Sequence, residues 1–322
     1  MSLLTVEGLG VSLPIDGRMT PIVEGIDLRV ERGEVLGIAG ESGSGKTMSA
    51  MAVMGLLPAE ASVTGSIRFE GRELLGLGER ELRRLRGNDI AMVFQDPLSS
   101  LHPMLTIEGQ LTDHLRAHRR IGRRAAGARA MELLELVRLP NPRKTMRAYP
   151  HQLSGGMRQR VAIATALACE PALLIADEPT TALDVTVQAG IIELLLGLTR
   201  ELELGVMIVT HDLGVLSSIA DRLAVFYAGE VVETASAADV FARPTHPYTE
   251  ALLAAVPHRN DASEIELLPM RGSPPGAGEW ADGCRFSPRC GYVEPSCRAR
   301  GPRLLEVSGG HSVACHVKGV PS

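Results

Sequence analysis

Aromatic residues are scarce in this 322-residue chain: one Trp, four Tyr and five Phe make up 3% of it. Any site that needs a stacking ring therefore has few residues to draw on. Lysine is rarer still, with Lys46, Lys144 and Lys318 standing against thirty arginines. No apolar run approaches the roughly 18 residues that a membrane-crossing helix requires. A membrane role is therefore expected only through partners. Met1 to Asp16 lacks the basic start and long apolar stretch of a signal peptide, so a cytosolic location is expected. No internal repeat is visible. The net charge of −5 gives no electrostatic case for nucleic acid, and none is expected as a partner. The arginine-dense stretch Arg116, Arg119, Arg120, Arg123, Arg124 and Arg129 reads as a solvated helix face, with lipid headgroups or RNA as the alternative.

What is present suits a globular protein. Hydrophobic residues are 45% and charged residues 22%, which allows a core of ordinary size. The length allows one large domain plus an extension, or two domains.

The most informative segment is Gly40-Glu41-Ser42-Gly43-Ser44-Gly45-Lys46-Thr47, which fits G-x-x-x-x-G-K-[ST] at every fixed position. Glycines let backbone N–H groups curl around phosphate oxygens, and the following helix points its positive end at the same anion. In such loops the lysine, here Lys46, reaches the β- and γ-phosphates, and the hydroxyl of Thr47 is placed to ligate Mg²⁺. Context agrees. Val35-Leu36-Gly37-Ile38-Ala39 reads as a buried strand entering the loop, and Thr47 to Leu57 as a helix stopped by Pro58.

Leu4–Val6, Ile26–Val30, Ser66–Phe69 and Asp89–Phe94 read as further strands. From Leu98 to about Pro150 the period turns helical, with Ile107, Leu111 and Leu115 at four-residue spacing and a second helix over Met131–Val137. Leu173–Ala176 and Val206–Thr210 alternate with helices, which is the spacing of a parallel sheet. Leu223–Tyr227 and Val231–Thr234 are expected to form a hairpin.

Leu173–Ala176 runs into Asp177-Glu178. The first acid suits Mg²⁺, and the second suits a base for water aimed at a γ-phosphate. Ser154-Gly155-Gly156 opens a helix, a second anion-binding terminus. Together these motifs resemble the ATP-binding-cassette (ABC) ATPases. Leu153–Met157 is similar to their signature, Gln95 to the Q-loop, Asp184 to the D-loop and His211 to the switch histidine. The resemblance implies a P-loop NTPase fold of α/β class, with a parallel-sheet core, a β-subdomain and a helical subdomain over about 97–160. It implies ATP and Mg²⁺ as ligands, with Gly40–Thr47, Gln95 and Asp177 on the nucleotide and Thr47, Gln95 and Asp177 on the metal. Lys46, Gln95, Glu178 and His211 would carry the chemistry. Ser154, Gly155, Gly156 and Asp184 would act on the ATP of a second cassette. One position departs from the pattern: Leu13 stands where many of these ATPases stack an aromatic on adenine, so base stacking should be weaker.

Ser154–Arg160, Ala176–Gln188, Thr210–Gly214 and Pro244–Thr249 resemble the D-type ATPase of oligopeptide/dipeptide importers. That likeness covers essentially the whole chain. It implies an F-type ATPase as partner, two membrane-spanning permease subunits and an extracytoplasmic solute-binding protein. The chain would then sit peripherally on the cytoplasmic face of the membrane and drive uptake of peptides. Import of nickel, glutathione or another small solute, or soluble work on ribosomes or DNA, is the alternative.

The cassette is expected over 1–257, and 258–322 resembles that family's C-terminal extension. Of the five cysteines, Cys169 reads as an inert core residue. Cys284, Cys290, Cys297 and Cys315 are separated by five, six and seventeen residues. Zinc sites favour pairs roughly two to four apart, so a [4Fe–4S] cluster is favoured over zinc or no metal. The resemblance points the same way. His311 and His316, which flank Cys315, are spare ligand candidates.

Overall fold

The computed structural model describes residues 2–96, 100–181, 183–255, 270 and 272–319. Pro97 and Leu98, the expected domain boundary at 257/258, and Arg271 of the linker lie outside the described residues.

In chain order come β1 (Leu4–Ile15), β2 (Arg18–Val30), β3 (Val35–Ala39), α1 (Lys46–Met54), β4 (Ser62–Phe69) and β5 (Arg72–Glu73). Next are α2 (Glu79–Leu85), β6 (Ile90–Val93), α3 (Ile107–His118), α4 (Arg123–Leu136), α5 (Pro142–Arg147) and α6 (Gly155–Ala166). Then follow β7 (Leu173–Asp177), α7 (Val185–Leu202), β8 (Gly205–Val209), α8 (Leu213–Ile219), β9 (Arg222–Tyr227) and β10 (Glu230–Ser236). The last are α9 (Ala237–Ala242), α10 (Pro247–Ala254), α11 (Pro295–Ala299), β11 (Leu305–Ser308) and β12 (His311–Val313). Among the described residues no helix is long and apolar enough to cross a membrane.

Contacts sort the chain into two compact units. The first comprises Met1–Leu3, Val30–Glu34 and Gly76–Ile208; the second comprises Leu4–Arg29, Val35–Leu75 and Val209–Ser322.

In the first unit β6 pairs in parallel with β7, from Ile90↔Leu173 to Val93↔Ala176. Every residue of β7 is buried, so the strand can be apolar until its last position. Ile107, Leu111 and Leu115 of α3 are each 1% exposed or less, which is the face their four-residue spacing predicts. The arginine stretch lies mainly in solvent, but Arg119 donates to the carbonyl of Cys169 at 2.5 Å and Arg129 pairs with Glu132 and Glu170. Cys169 is fully buried, and burial pushes its thiol up, as expected for an inert core residue.

In the second unit the strand order is β3-β9-β10-β12-β11, and β2-β1-β4-β5 form a separate four-stranded sheet. β3 and β9 are parallel. The expected hairpin β9–β10 is antiparallel, and β12 adds to it antiparallel through Glu233↔Val313. The β11–β12 hairpin is not among the expected strands, although Gly309-Gly310 between two short runs is its signal. Helix α1 ends three residues earlier than Pro58 suggested. Gly55, at φ +61°, closes it by donating to the carbonyls of Ala52 and Met51, a left-handed cap that glycine adopts without strain.

Candidate functional site

The phosphate loop belongs to the second unit. β3 is buried throughout and delivers the chain to Gly40, whose φ is +147°. A Cβ there would lie 2.3 Å from the backbone oxygen of Phe226, so no side chain fits. Lys46 is 5% exposed, and its ammonium donates to the carbonyls of Gly40 and Glu41, both at 2.8 Å. Gly45, at φ +99°, caps α1, and no side chain occupies the cap. The first turn is thus built for an anion rather than for a capping oxygen. Thr47 is exposed in that turn.

Residues far along the chain brace this loop. The Glu41 N–H donates to the Tyr248 hydroxyl at 2.9 Å. The Glu41 carboxylate accepts both terminal nitrogens of Arg289, at 2.6 and 3.0 Å, and this pairing raises the Arg289 pKa further above its usual value. The Ser44 carbonyl accepts from Gly229 N–H at 3.1 Å. On that turn, Arg285 donates to the Ala228 carbonyl at 2.5 Å, pairs with Glu24 and Glu230, and stacks on Trp280, 3.6 Å from the ring centre. Phe286 meets Tyr227 and Tyr248 edge-on. The sequence motifs by themselves assign Arg289 and Tyr248 no role. Their signal was an arginine inside a cysteine motif and a tyrosine inside an apolar helix.

His211 also lies in the second unit, exposed just beyond β8, where Thr210 N–H donates to Ile38 O at 3.1 Å. Leu13 is half-buried in β1.

The acids lie in the first unit. Asp177 is buried at the end of β7. Glu178 follows in a left-handed conformation, φ +48°, which turns its carboxylate out of strand geometry. One oxygen of that carboxylate accepts from Gln95 Nε2 and from Thr181 Oγ1, each at 2.8 Å. The structure thus brings Gln95 and Glu178 together and adds Thr181, which the sequence reading did not single out. These two donors orient the carboxylate oxygen, as a base aimed at a water requires.

Two helix termini complete this unit. Ser154 caps α6, but its hydroxyl accepts from Met157 N–H only at 3.4 Å. Gly155 lies 3.4 Å, as an ideal Cβ, from Leu183, and a Cβ on Gly156 would lie 2.4 Å from Val187 Cγ1. The glycines therefore let α6 approach the start of α7. Asp184 caps α7 by accepting from Val187 N–H at 2.9 Å.

Cys284, Cys290, Cys297 and Cys315 all line one narrow cavity of about 10 Å³, with His246 and His316 on its wall. Burial pushes the Cys284 thiol up to about 11 and raises that of Cys290, and the other thiols add to both effects. Tyr292 N–H donates to Cys290 Sγ and Lys318 N–H to Cys315 Sγ, both at 3.3 Å. Among the described residues no three His, Cys, Asp or Glu side chains are disposed to hold a metal ion. Of the two spare histidines, His316 faces the cavity and bonds the Arg300 carbonyl at 2.9 Å. His311 instead pairs with the fully buried Glu233 at 2.7 Å.

Comparison with known proteins bears on both units. The family described as ABC transporter matches residues 23–181, and the one described as oligopeptide/dipeptide transporter, C-terminal region, matches 232–297. An oligopeptide transport ATP-binding protein OppD of Mycobacterium tuberculosis is 49% identical over 97% of this chain. The chain spans about half the length of that relative, 51%. A probable peptide ABC transporter ATP-binding protein of Sinorhizobium fredii is 46% identical over 97% of this chain and 94% of its own. The dimeric structure of the cassette MJ0796 superposes with a TM-score of 0.65 at 30% identity, covering 73% of this chain and 98% of that one.

Proposed function

Because the chain belongs to the ABC-transporter ATPases of the oligopeptide/dipeptide branch, we propose that it hydrolyses ATP to drive uptake of di- or oligopeptides across the cytoplasmic membrane. The observation that carries hydrolysis is the Glu178 carboxylate, placed directly after a buried strand and oriented by Gln95 and Thr181. In this reading Gly40–Thr47 binds the triphosphate, with Lys46 leaving the loop carbonyls for the phosphate oxygens. Thr47, Gln95 and Asp177 would hold Mg²⁺, which would supply charge neutralisation for the triphosphate. Glu178 takes the proton of the attacking water, and His211 and Gln95 position it. Ser154, Gly155, Gly156 and Asp184 act on the nucleotide of a second cassette, for which the dimer of MJ0796 is the precedent.

The partners proposed are an F-type ATPase, two permease subunits and a solute-binding protein, with this chain peripheral on the cytoplasmic face. The helical subdomain, about 97–160, is the proposed contact with the permeases. Residues 1–257 are proposed as the cassette and 258–322 as its extension. Mass spectrometry of what co-purifies from gently solubilised membranes tests the assembly. Two multispanning subunits and a second cassette are expected; ribosomal or DNA-repair partners alone would overturn the transport reading.

We further propose that Cys284, Cys290, Cys297 and Cys315 hold a [4Fe–4S] cluster. Four thiols facing one cavity, two of them accepting backbone N–H groups, support it. A cationic core would relieve their mutual opposition to ionising together. Anaerobic purification with iron, sulfide and zinc analysis is the test. Roughly four iron and four sulfide per chain is expected, whereas zinc without iron would overturn the cluster.

A further inference from the structure

We propose that Arg289 is a positioning residue for the phosphate loop, clamping Glu41 so that the cysteine-bearing segment sets the affinity for Mg·ATP. This rests on the ATPase reading above.

Glu41 is the second residue of the loop and the first after Gly40, and it brings a carboxylate to a loop that must bind a polyanion. Left alone, that charge opposes the phosphates. Arg289 meets it with two parallel hydrogen bonds and is itself buried, while the Glu41 side chain keeps 25% of its surface exposed, so solvent screens the pair only in part. The Tyr248 hydroxyl accepts from the backbone of the same residue, and Lys46 donates to its carbonyl. Glu41 is thus fixed at side chain, N–H and C=O at once, and the resting place of the Lys46 ammonium depends on it.

Arg289 precedes Cys290 directly. Phe286, three residues before it, packs on Tyr227 and Tyr248, and Arg285 holds the Ala228 carbonyl next to Gly229, whose N–H reaches Ser44 of the loop. The segment between the first two cavity cysteines therefore reaches the phosphate loop directly at Glu41, and indirectly at Ser44 through the Ala228-Gly229 turn. A change in how Cys284 and Cys290 are held is transmitted to Glu41 through Arg289.

The test is calorimetric titration of the purified full chain with a hydrolysis-resistant Mg·ATP analogue. Arg289→Ala is expected to weaken binding at least about tenfold, and Arg289→Lys, which keeps charge but loses the fork, by an intermediate factor. Adding Glu41→Gln to Arg289→Ala removes the uncompensated carboxylate and is expected to restore affinity to within about threefold of wild type. A merely structural role would lower thermal stability in both variants and give no such rescue. Cys284→Ser is expected to weaken binding in the wild-type background but not in the double variant. Wild-type affinity in Arg289→Ala, or absence of rescue, overturns the clamp alone. A wild-type chain that binds no nucleotide overturns the ATPase reading and this inference with it.

Discussion

The two units hold their chemical groups in different ways. In the second, the phosphate loop is fixed by residues remote in sequence: Arg289 is 248 positions from Glu41, and Tyr248 is 207 from it. In the first, Glu178 is held by Thr181 three residues on and by Gln95, two residues beyond β6, which lies beside β7. A loop that must keep several N–H groups convergent gains from rigid, buried braces. A carboxylate that must gain and lose a proton gains from donors that orient it. Substitutions in the two units should therefore fail in different observables, binding and fold for the loop, turnover for the acid.

The largest effect expected is at Glu178. Glu178→Gln keeps the size and the hydrogen-bonding reach of the side chain but cannot take a proton. Turnover should fall about 10²–10⁴-fold with Mg·ATP affinity within a few-fold of wild type. Steady-state kinetics alongside equilibrium binding checks this, and near-normal turnover would remove Glu178 from its role.

Next come two glycines, one in each unit. Gly40→Ala would force a Cβ to within 2.3 Å of a backbone oxygen at φ +147°, and a backbone atom cannot rotate away. A loss of about 3 kcal/mol or more is expected in denaturant unfolding, together with loss of nucleotide binding. Gly156→Ala meets only the methyl Cγ1 of Val187, 2.4 Å away, in a residue with helical backbone. Its cost should be about 1–3 kcal/mol. Val187→Ala removes that methyl, so the double variant should recover most of the loss, since alanine is the better helix former. No partner substitution should rescue Gly40→Ala in this way.

That contrast also explains what was legible in the sequence. Gly40–Thr47, Asp177-Glu178 and Ser154–Gly156 are short contiguous motifs whose chemistry depends on local backbone geometry, so their residue types reveal them. The buried face of α3 follows from its four-residue period, and the buried strand β7 from its unbroken apolar run. Arg289, Tyr248 and Thr181 act through contacts that only the fold creates. An arginine between cysteines looks like a solvated charge until its guanidinium is seen on Glu41. The end of α1 differs from the expectation because Gly55 and Pro58 both signal a stop, and the left-handed cap at Gly55 comes first along the chain. The β11–β12 hairpin escaped because its strands are three and four residues long and gain stability by pairing with β10.

The smallest effects separate capping from chemistry in the first unit. Asp184 and Ser154 both cap helices, at 2.9 and 3.4 Å from the N–H groups they accept. Asp184→Ala should cost about 1 kcal/mol in unfolding and Ser154→Ala about 0.5, the low end for such caps, because the longer bond is the weaker. Asp184→Asn keeps an acceptor and should be nearly neutral for stability. If Ser154 serves a second cassette's phosphate, its substitution must reduce turnover far more than half a kcal/mol of stability accounts for. Assaying both variants at a concentration where the assembled pair is saturated isolates that difference. A Ser154→Ala chain that turns over normally would leave the hydroxyl a helix cap and nothing more.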